Sequence, residues 1–461
     1  MDNKQYIIAI EVGSSKITGA LAEKTSTGLI TFEALEEERM TDIVRYGCIK
    51  NVDETSNRIH SIIKKLEARS VLGGRKIKHV FVGIGGHSVK AIKKTVVRDY
   101  AEDTTVTADL LRAMEKQARN EVLEGYEILD VVPEQIEVDK TLIKNPVGMI
   151  GKNITIKYNL VIGREQLRAN LKRVLVDHLQ LDVSGYQVTA LSIADQVLTE
   201  DERQLGCMLV DFGAETITVS IYKDKYLAYL FTLPMGSRNI TRDITSLKIV
   251  EEVAESIKKT AGNAIKPDSK DDLKIEGVNY LEAENYIIAR SNEIVANIIA
   301  QFEYAHLNIS DIPKGIVVVG GGANLNGFIE LLSNQANIEV RKGIPSEGVN
   351  LIEKKANSLE YVSIVSLVAS AAEFVNPGFS CCTALPNAGA GGLFVEEGQK
   401  PEEANPEERQ PDESKSPKKP KEKKPNRFTS LFGRMRKSAE SFAENIFTDG
   451  DSDDDDDEEV K

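Results

Sequence analysis

Two acids, each two residues ahead of a glycine, close apolar runs about 200 residues apart. Glu11 ends the run that begins at Tyr6 and is followed by Gly13, Ser14, Ser15 and Lys16, after which apolar residues resume to Leu21. Asp211 ends the run from Leu209 and is followed by Gly213, Ala214, Glu215 and Thr216; Ile217, Val219 and Ile221 then alternate with polar residues. Period-2 patterning on either side of a short glycine turn reads as strand, turn, strand. Such a turn can aim successive backbone N–H groups into one concavity, which is an anion site. An acid just before it is placed to hold a cation bound to that anion, directly or through water. One hairpin of this kind is commonly just a hairpin. Two of them suggest two pseudo-equivalent halves facing one phosphate group. A third piece fits them: Ile316–Val319 is a buried-strand pattern that runs into Gly320, Gly321, Gly322 and Ala323. Three glycines there let the backbone approach something flat and bulky.

The elements that must carry these residues follow in chain order. Asn51 to Asp53 supply helix caps, and Ile59, Ile62, Ile63 and Leu66 recur at helical spacing behind them. His87 reads as a turn residue. Residues 84–161 read as a small α+β unit: a helix with Leu110, Leu111, Met114 and Ala118, then strands near 127–138 and 154–163, broken by Pro133 and by the turn at 145–148. A helix over 164–179 follows. After the second hairpin, the Gly236 turn precedes a helix that contains Asn239. Glu255 and Lys258 then share a helix face at i,i+3, which on its own terms is a surface ion pair. Long helices are expected over 281–304 and 361–374.

With 461 residues, the prior is about three units. Cys48, Cys207, Cys381 and Cys382 show neither metal nor disulfide spacing and read as reduced thiols, the last two in a loop-like stretch. No apolar run is long enough to span a bilayer, and the start of the chain reads directly as strand, without a signal peptide. The net charge of −14 is concentrated: residues 449–461 carry nine acids and one lysine. With no basic face in the body, nucleic acid is an unlikely partner.

The two hairpins and the triple glycine, in this order, resemble the two phosphate motifs and the adenosine motif of the actin-like ATPases. Within them, Val131 to Asp139 and Pro146 to Met149 look like the FtsA family of bacterial division proteins, over roughly residues 5–375 and into the tail. The resemblance implies an α/β, actin-like fold: two lobes around a nucleotide cleft with an inserted subdomain, 1C. The first lobe is expected at 1–83 and 162–204, the insert at 84–161, and the second lobe at 205–390 with its outer part near 241–314. ATP would bind Gly13 to Lys16, Asp211, Gly213 to Thr216, Gly236, Asn239, Glu255, Lys258, Gly262 and Gly320 to Ala323. Glu11 and Asp211 would hold Mg²⁺, through water. The family usually has glycine where Ala214 and Glu215 stand, and a Glu beside a triphosphate is unfavourable unless it points away or meets the metal. The acid or amide that orients attacking water in many relatives falls near Leu191, which cannot do so; Asp195 and Gln196 are close by. Hydrolysis is therefore expected to be slow.

The resemblance also implies self-association into filaments, and capture of the C-terminal peptide of the tubulin-like protein FtsZ by the second lobe. Later division proteins would meet the insert, at the cytoplasmic face of the membrane at the division septum. A pilus-assembly adaptor of the PilM type and a small-molecule kinase share the superfamily and are the alternatives.

From 391 to 426 the chain is proline-rich and low in apolar residues, a composition that reads as a disordered linker. The segment 427–447 differs abruptly. At helical spacing Phe428, Leu431, Phe432, Met435, Phe442 and Ile446 share a face, flanked by Arg434, Arg436 and Lys437. Such a helix suits an anionic membrane interface; its position matches the family's membrane-targeting helix, and docking on a protein surface is the other use of such a face. The acidic stretch 448–461 either weakens lipid binding or is a solvated tail.

Overall fold

The computed structural model describes residues 4–383, apart from 266–273, 276, 346–348, 353 and 377. The linker, amphipathic segment and acidic tail expected beyond 390 lie outside the described residues.

Two sheets organise what is described. The first runs, strand by strand, Asp182–Val188, His79–Ile84, Gln5–Val12, Lys16–Lys24, Ile30–Arg39 and Val349–Leu351. Its centre is the first acid–glycine hairpin, whose strand Gln5–Val12 is buried for most of its length because its apolar residues are covered on both faces. Helix Val52–Glu67 covers one face. Asn51 caps it by accepting from the Glu54 N–H at 2.9 Å, and Ile59, Ile62, Ile63 and Leu66 are buried, as their spacing predicts. Gly19 is what permits the approach: a Cβ there would lie 2.4 Å from Ile62.

The second sheet has nine strands among the described residues. Its inner part is the second hairpin, Cys207–Phe212 with Ile217–Lys223, flanked by Tyr226–Leu233 and by the parallel strand Ile316–Val319. Helices Ser237–Ile244, Glu251–Ala261, Tyr280–Tyr304 and Phe328–Ala336 enclose its core.

The small unit expected at 84–161 is present, with its own core around Met114, Ile156 and Tyr158. Pro133 does not break its strand. Tyr126–Val138 is continuous, and the register instead shifts between Lys157 and Tyr158 of the neighbouring strand Ile150–Arg164, opposite Gln135 and Pro133. A bulge at that point absorbs the missing N–H. The insert also joins the second sheet through a single pair, Phe231 with Lys90. The helix expected over 164–179 is α-helical at Glu165–Lys172 and widens to a π turn at Arg173–His178.

The expected second lobe at 205–390 needs one correction. Val349–Leu351 pairs with Ile30–Phe32, Cys382–Thr383 pairs with Lys76–Ile77, and helix Val362–Phe374 packs against the first sheet. The described end of the chain thus returns to the first lobe and completes its core. Cys381 and Cys382 are buried there rather than looped out, and the four cysteines are free thiols.

Candidate functional site

The two hairpins are built alike to the atom. Gly13 N–H donates to Lys16 O at 3.0 Å, and Gly213 N–H donates to Thr216 O at 2.9 Å. A Cβ on either glycine would press on that same carbonyl, at 3.0 and 2.9 Å. Both turns open onto one cleft between the lobes, of about 940 Å³, within the size range of small-molecule sites.

Glu11 and Asp211 lie on its floor. The Glu11 carboxylate accepts from Ser363 Oγ at 2.7 Å and Thr18 Oγ1 at 3.3 Å. Burial pushes its pKa above the usual carboxylate range. Burial, and then the negative charge of Glu11, push Asp211 up to about 7. A divalent ion bound between two carboxylates raised in this way would bring both back to the ionised form.

The triple glycine faces the same space, and its members differ. A Cβ on Gly320, whose φ is +91°, would meet Phe212 O at 2.5 Å; one on Gly322 would meet the Phe212 ring at 2.6 Å. Gly321 has only an ordinary contact, 3.6 Å to Glu360 Cβ, so its lack of a side chain serves the cleft rather than the packing. Across from it, Lys258 Nζ donates to Glu255 at 2.6 Å, Thr241 Oγ1 at 2.8 Å and Ser237 O at 3.0 Å. The pair is therefore a built cleft wall rather than a surface ion pair. Lys16 is also engaged: its ammonium lies 3.0 Å from Glu360, 3.6 Å from Glu37 and 3.6 Å above the Tyr361 ring.

Fourteen of the residues expected to hold nucleotide and metal line this cleft: Glu11, Gly13 to Lys16, Asp211, Gly213, Ala214, Thr216, Glu255, Lys258 and Gly320 to Gly322. Five do not, and each has a structural task instead. A Cβ on Gly236 would lie 2.3 Å from Ala214 O, so this glycine lets the helix Ser237–Ile244 abut the second turn. That helix start then holds the turn: Ser237 N–H donates to Gly213 O at 3.0 Å, and Arg238 N–H to Ala214 O at 2.8 Å. Asn239 caps the helix by accepting from Gly236 N–H at 2.9 Å. Gly262 ends the helix Glu251–Ala261, and Ala323 is in the core. Glu215 turns away from the cleft into a cluster with Arg238 and Arg242, which answers the electrostatic objection to its presence.

Sequence reasoning missed Arg39, Arg58, Arg238, Glu360 and Ser363, all of which line the cleft. Arg238 could have been found from its place two residues after the Gly236 turn. Glu360 and Ser363 come from a segment with no local signature. No acid of the helix Thr189–Val197 reaches the cleft: Leu191 is buried, and the Asp195 carboxylate is held by Arg203 at 3.0 and 3.1 Å.

Two lobes hinged about paired acid–glycine hairpins, with a glycine-rich strand end between them, define an actin-like ATPase fold. One chain of the solved PilM-PilN type IV pilus biogenesis complex shares it, with a TM-score of 0.58 at 15% identity over 79% of this chain and 98% of that one; at that identity the likeness shows the fold alone. The particular family is given by sequence. The family model "Cell division protein FtsA" matches residues 208–366, and the "SHS2 domain inserted in FTSA" matches 86–162. Cell division protein FtsA of Porphyromonas gingivalis is 28% identical over 381 residues, 79% of this chain and 78% of that protein. FtsA of Bacillus subtilis is 28% identical over 363 residues, 75% and 80% of the two chains. This chain belongs to the FtsA family of cell division proteins.

Proposed function

We propose that the cleft binds ATP with Mg²⁺, and that nucleotide controls assembly of this protein into membrane-associated filaments that hold FtsZ. The observation that carries the reading is the pair of equivalent turns, Gly13 to Lys16 and Gly213 to Thr216, opening on one cleft above two carboxylates. Two such turns offer N–H groups from opposite sides to one polyphosphate. Glu11 and Asp211 would hold the magnesium, which would supply charge neutralisation between phosphate oxygens and protein. An ion held by two carboxylates would be completed by phosphate and water. Gly321 and the Glu255–Lys258 wall suit the adenosine end. With no acid of helix Thr189–Val197 in the cleft, ATP acts chiefly as a conformational ligand.

The remainder of the reading rests on the family and on the amphipathic sequence at 427–447. No helix among the described residues is long and apolar enough to cross a membrane. One amphipathic segment gives weak, reversible lipid binding, and a filament that presents many gains avidity without new contacts. FtsZ's C-terminal peptide would dock on the second lobe. The insert exposes Leu142, Val147, Met149 and Ile150, an apolar set suited to meeting later division proteins. The test is co-pelleting with FtsZ and anionic liposomes. Retention of FtsZ by liposomes only when this protein and ATP are present is the expected result; FtsZ left in the supernatant with this protein bound contradicts it.

A further inference from the structure

We propose that Glu215 is a positioning residue of the cleft: it ties the second phosphate turn to the first lobe and so sets how far the lobes close. The proposal rests on the reading of the cleft as a nucleotide site.

Glu215 is 1% exposed, and each of its oxygens is used. Oε2 accepts from the Tyr46 N–H at 2.8 Å, and Tyr46 belongs to the first lobe. Oε1 accepts from Arg238 Nη1 at 3.2 Å and Arg242 Nη2 at 3.0 Å, both on the second-lobe helix Ser237–Ile244. Asp42, again from the first lobe, lies 3.9 Å from both guanidinium groups. Glu251 also accepts from Arg238 Nε, at 2.6 Å, so three acids and two arginines interleave across the lobe boundary. A buried carboxylate is tolerated only while its partners stay in place, so opening the lobes exposes or strands these charges.

The first-lobe side of the cluster is one short segment, Met40 to Gly47, and it touches the first phosphate turn as well. Met40 N–H donates to Ser15 O at 3.0 Å, and Gly47 N–H donates to Ser14 Oγ at 3.1 Å. The segment thus spans both turns. Its end rests on the root of the insert, where His87 N–H donates to Tyr46 O at 3.0 Å and the two rings meet edge to face at 5.9 Å. Glu215 gives this segment its hold on the second lobe. Closure is thereby favoured before a ligand arrives, and a ligand that fits between the turns need not supply all of it.

The experiment is hydrogen exchange of the Tyr46 amide in the full chain without ligand, together with calorimetry of MgATP. Glu215→Gly removes the carboxylate that joins the Tyr46 N–H to both arginines; Arg242→Ala removes one arm and lies outside the cleft lining, so it carries the test if the first variant fails to fold. Exchange at Tyr46 should rise about tenfold or more in Glu215→Gly, the scale of one charge-assisted hydrogen bond. It should rise less in Arg242→Ala and return towards wild type in Arg242→Lys, with MgATP affinity falling in the same order. Unchanged Tyr46 exchange in folded variants overturns the proposal, as does raised exchange with unchanged MgATP affinity. If the wild type binds no nucleotide while exchange still rises, the tie between the lobes stands and the nucleotide reading falls.

Discussion

Glu11 and Asp211 occupy the same register of two hairpins: Glu11 faces Thr18 across the first, and Asp211 faces Thr218 across the second. They meet on one cleft floor, and the charge of Glu11 helps to raise Asp211. This equivalence has a consequence for stability. An acid whose folded pKa exceeds its unfolded value favours the folded state while protonated and opposes it once ionised. Its contribution is present below the unfolded value, near 3.8, and is lost as pH rises to about 7. The ligand-free protein should therefore lose stability over that window. Asp211→Asn should stabilise the ligand-free protein at pH 8, by on the order of 2 kcal/mol, and change it little at pH 4. Denaturant unfolding at the two pH values measures this; equal effects at both would place the raised acid elsewhere.

The triple glycine divides by task. Gly322→Ala puts a Cβ 2.6 Å from the Phe212 ring and should cost about 1–3 kcal/mol of stability. Gly321→Val meets only Glu360 at an ordinary distance, so it should fold as wild type does and weaken MgATP binding by about tenfold, roughly 1.4 kcal/mol. Thermal unfolding paired with calorimetry separates the two. Loss of stability in Gly321→Val with full affinity would reverse the assignment.

Much of this arrangement was legible in the sequence because it is local. A strand, an acid, a glycine turn and a second strand are written within about fifteen consecutive residues, and Ile217, Val219 and Ile221 are buried as their spacing predicts, although Ser220 and Tyr222 on the other face are buried too. What was not legible depends on long-range closure. Glu360 and Ser363 reach the cleft only because helix Val362–Phe374 crosses back to the first lobe, which no local pattern announces. Glu215 belongs to the turn in sequence, yet its side chain is buried against Tyr46, Arg238 and Arg242 and does not line the cleft. Pro133 looks like a strand breaker in sequence because the bulge that accommodates it depends on the neighbouring strand Ile150–Arg164.

Asp195 separates a structural acid from a catalytic one. One oxygen of its carboxylate, Oδ1, accepts both bonds from Arg203, whose side chain is 7% exposed. Asp195→Ala should leave that guanidinium without its acid and cost about 2–4 kcal/mol, without changing ATP turnover per folded molecule. Turnover itself should lie well below the roughly 1–10³ s⁻¹ of ordinary enzymes. A large drop in turnover with stability unchanged would make Asp195 catalytic.

Phe432 lies mid-way along the apolar face that the sequence places at 427–447. Phe432→Glu should remove most vesicle binding, since one buried ring is worth around 1.5–3 kcal/mol and a single segment has little affinity to spare. Deleting residues 449–461 removes nine acids and should strengthen binding to anionic vesicles at low salt. The gain should fade at high salt as screening shortens to within about 8 Å or less. Vesicle flotation of the three proteins at two salt concentrations reads both effects. Wild-type flotation of Phe432→Glu would remove the segment as anchor, and a deletion without salt-dependent effect would remove the tail as its modulator.

The two hairpins are proposed to hold one magnesium nucleotide between them. Calorimetric titration of MgATP into the wild type, Glu11→Ala, Asp211→Ala and the double variant tests it most directly. The wild type should bind, and each single variant should lose more than about tenfold in affinity. The loss in the double variant should depart from the sum of the two, because both acids serve one ion. Unchanged affinity in both single variants, or losses that simply add, would contradict it.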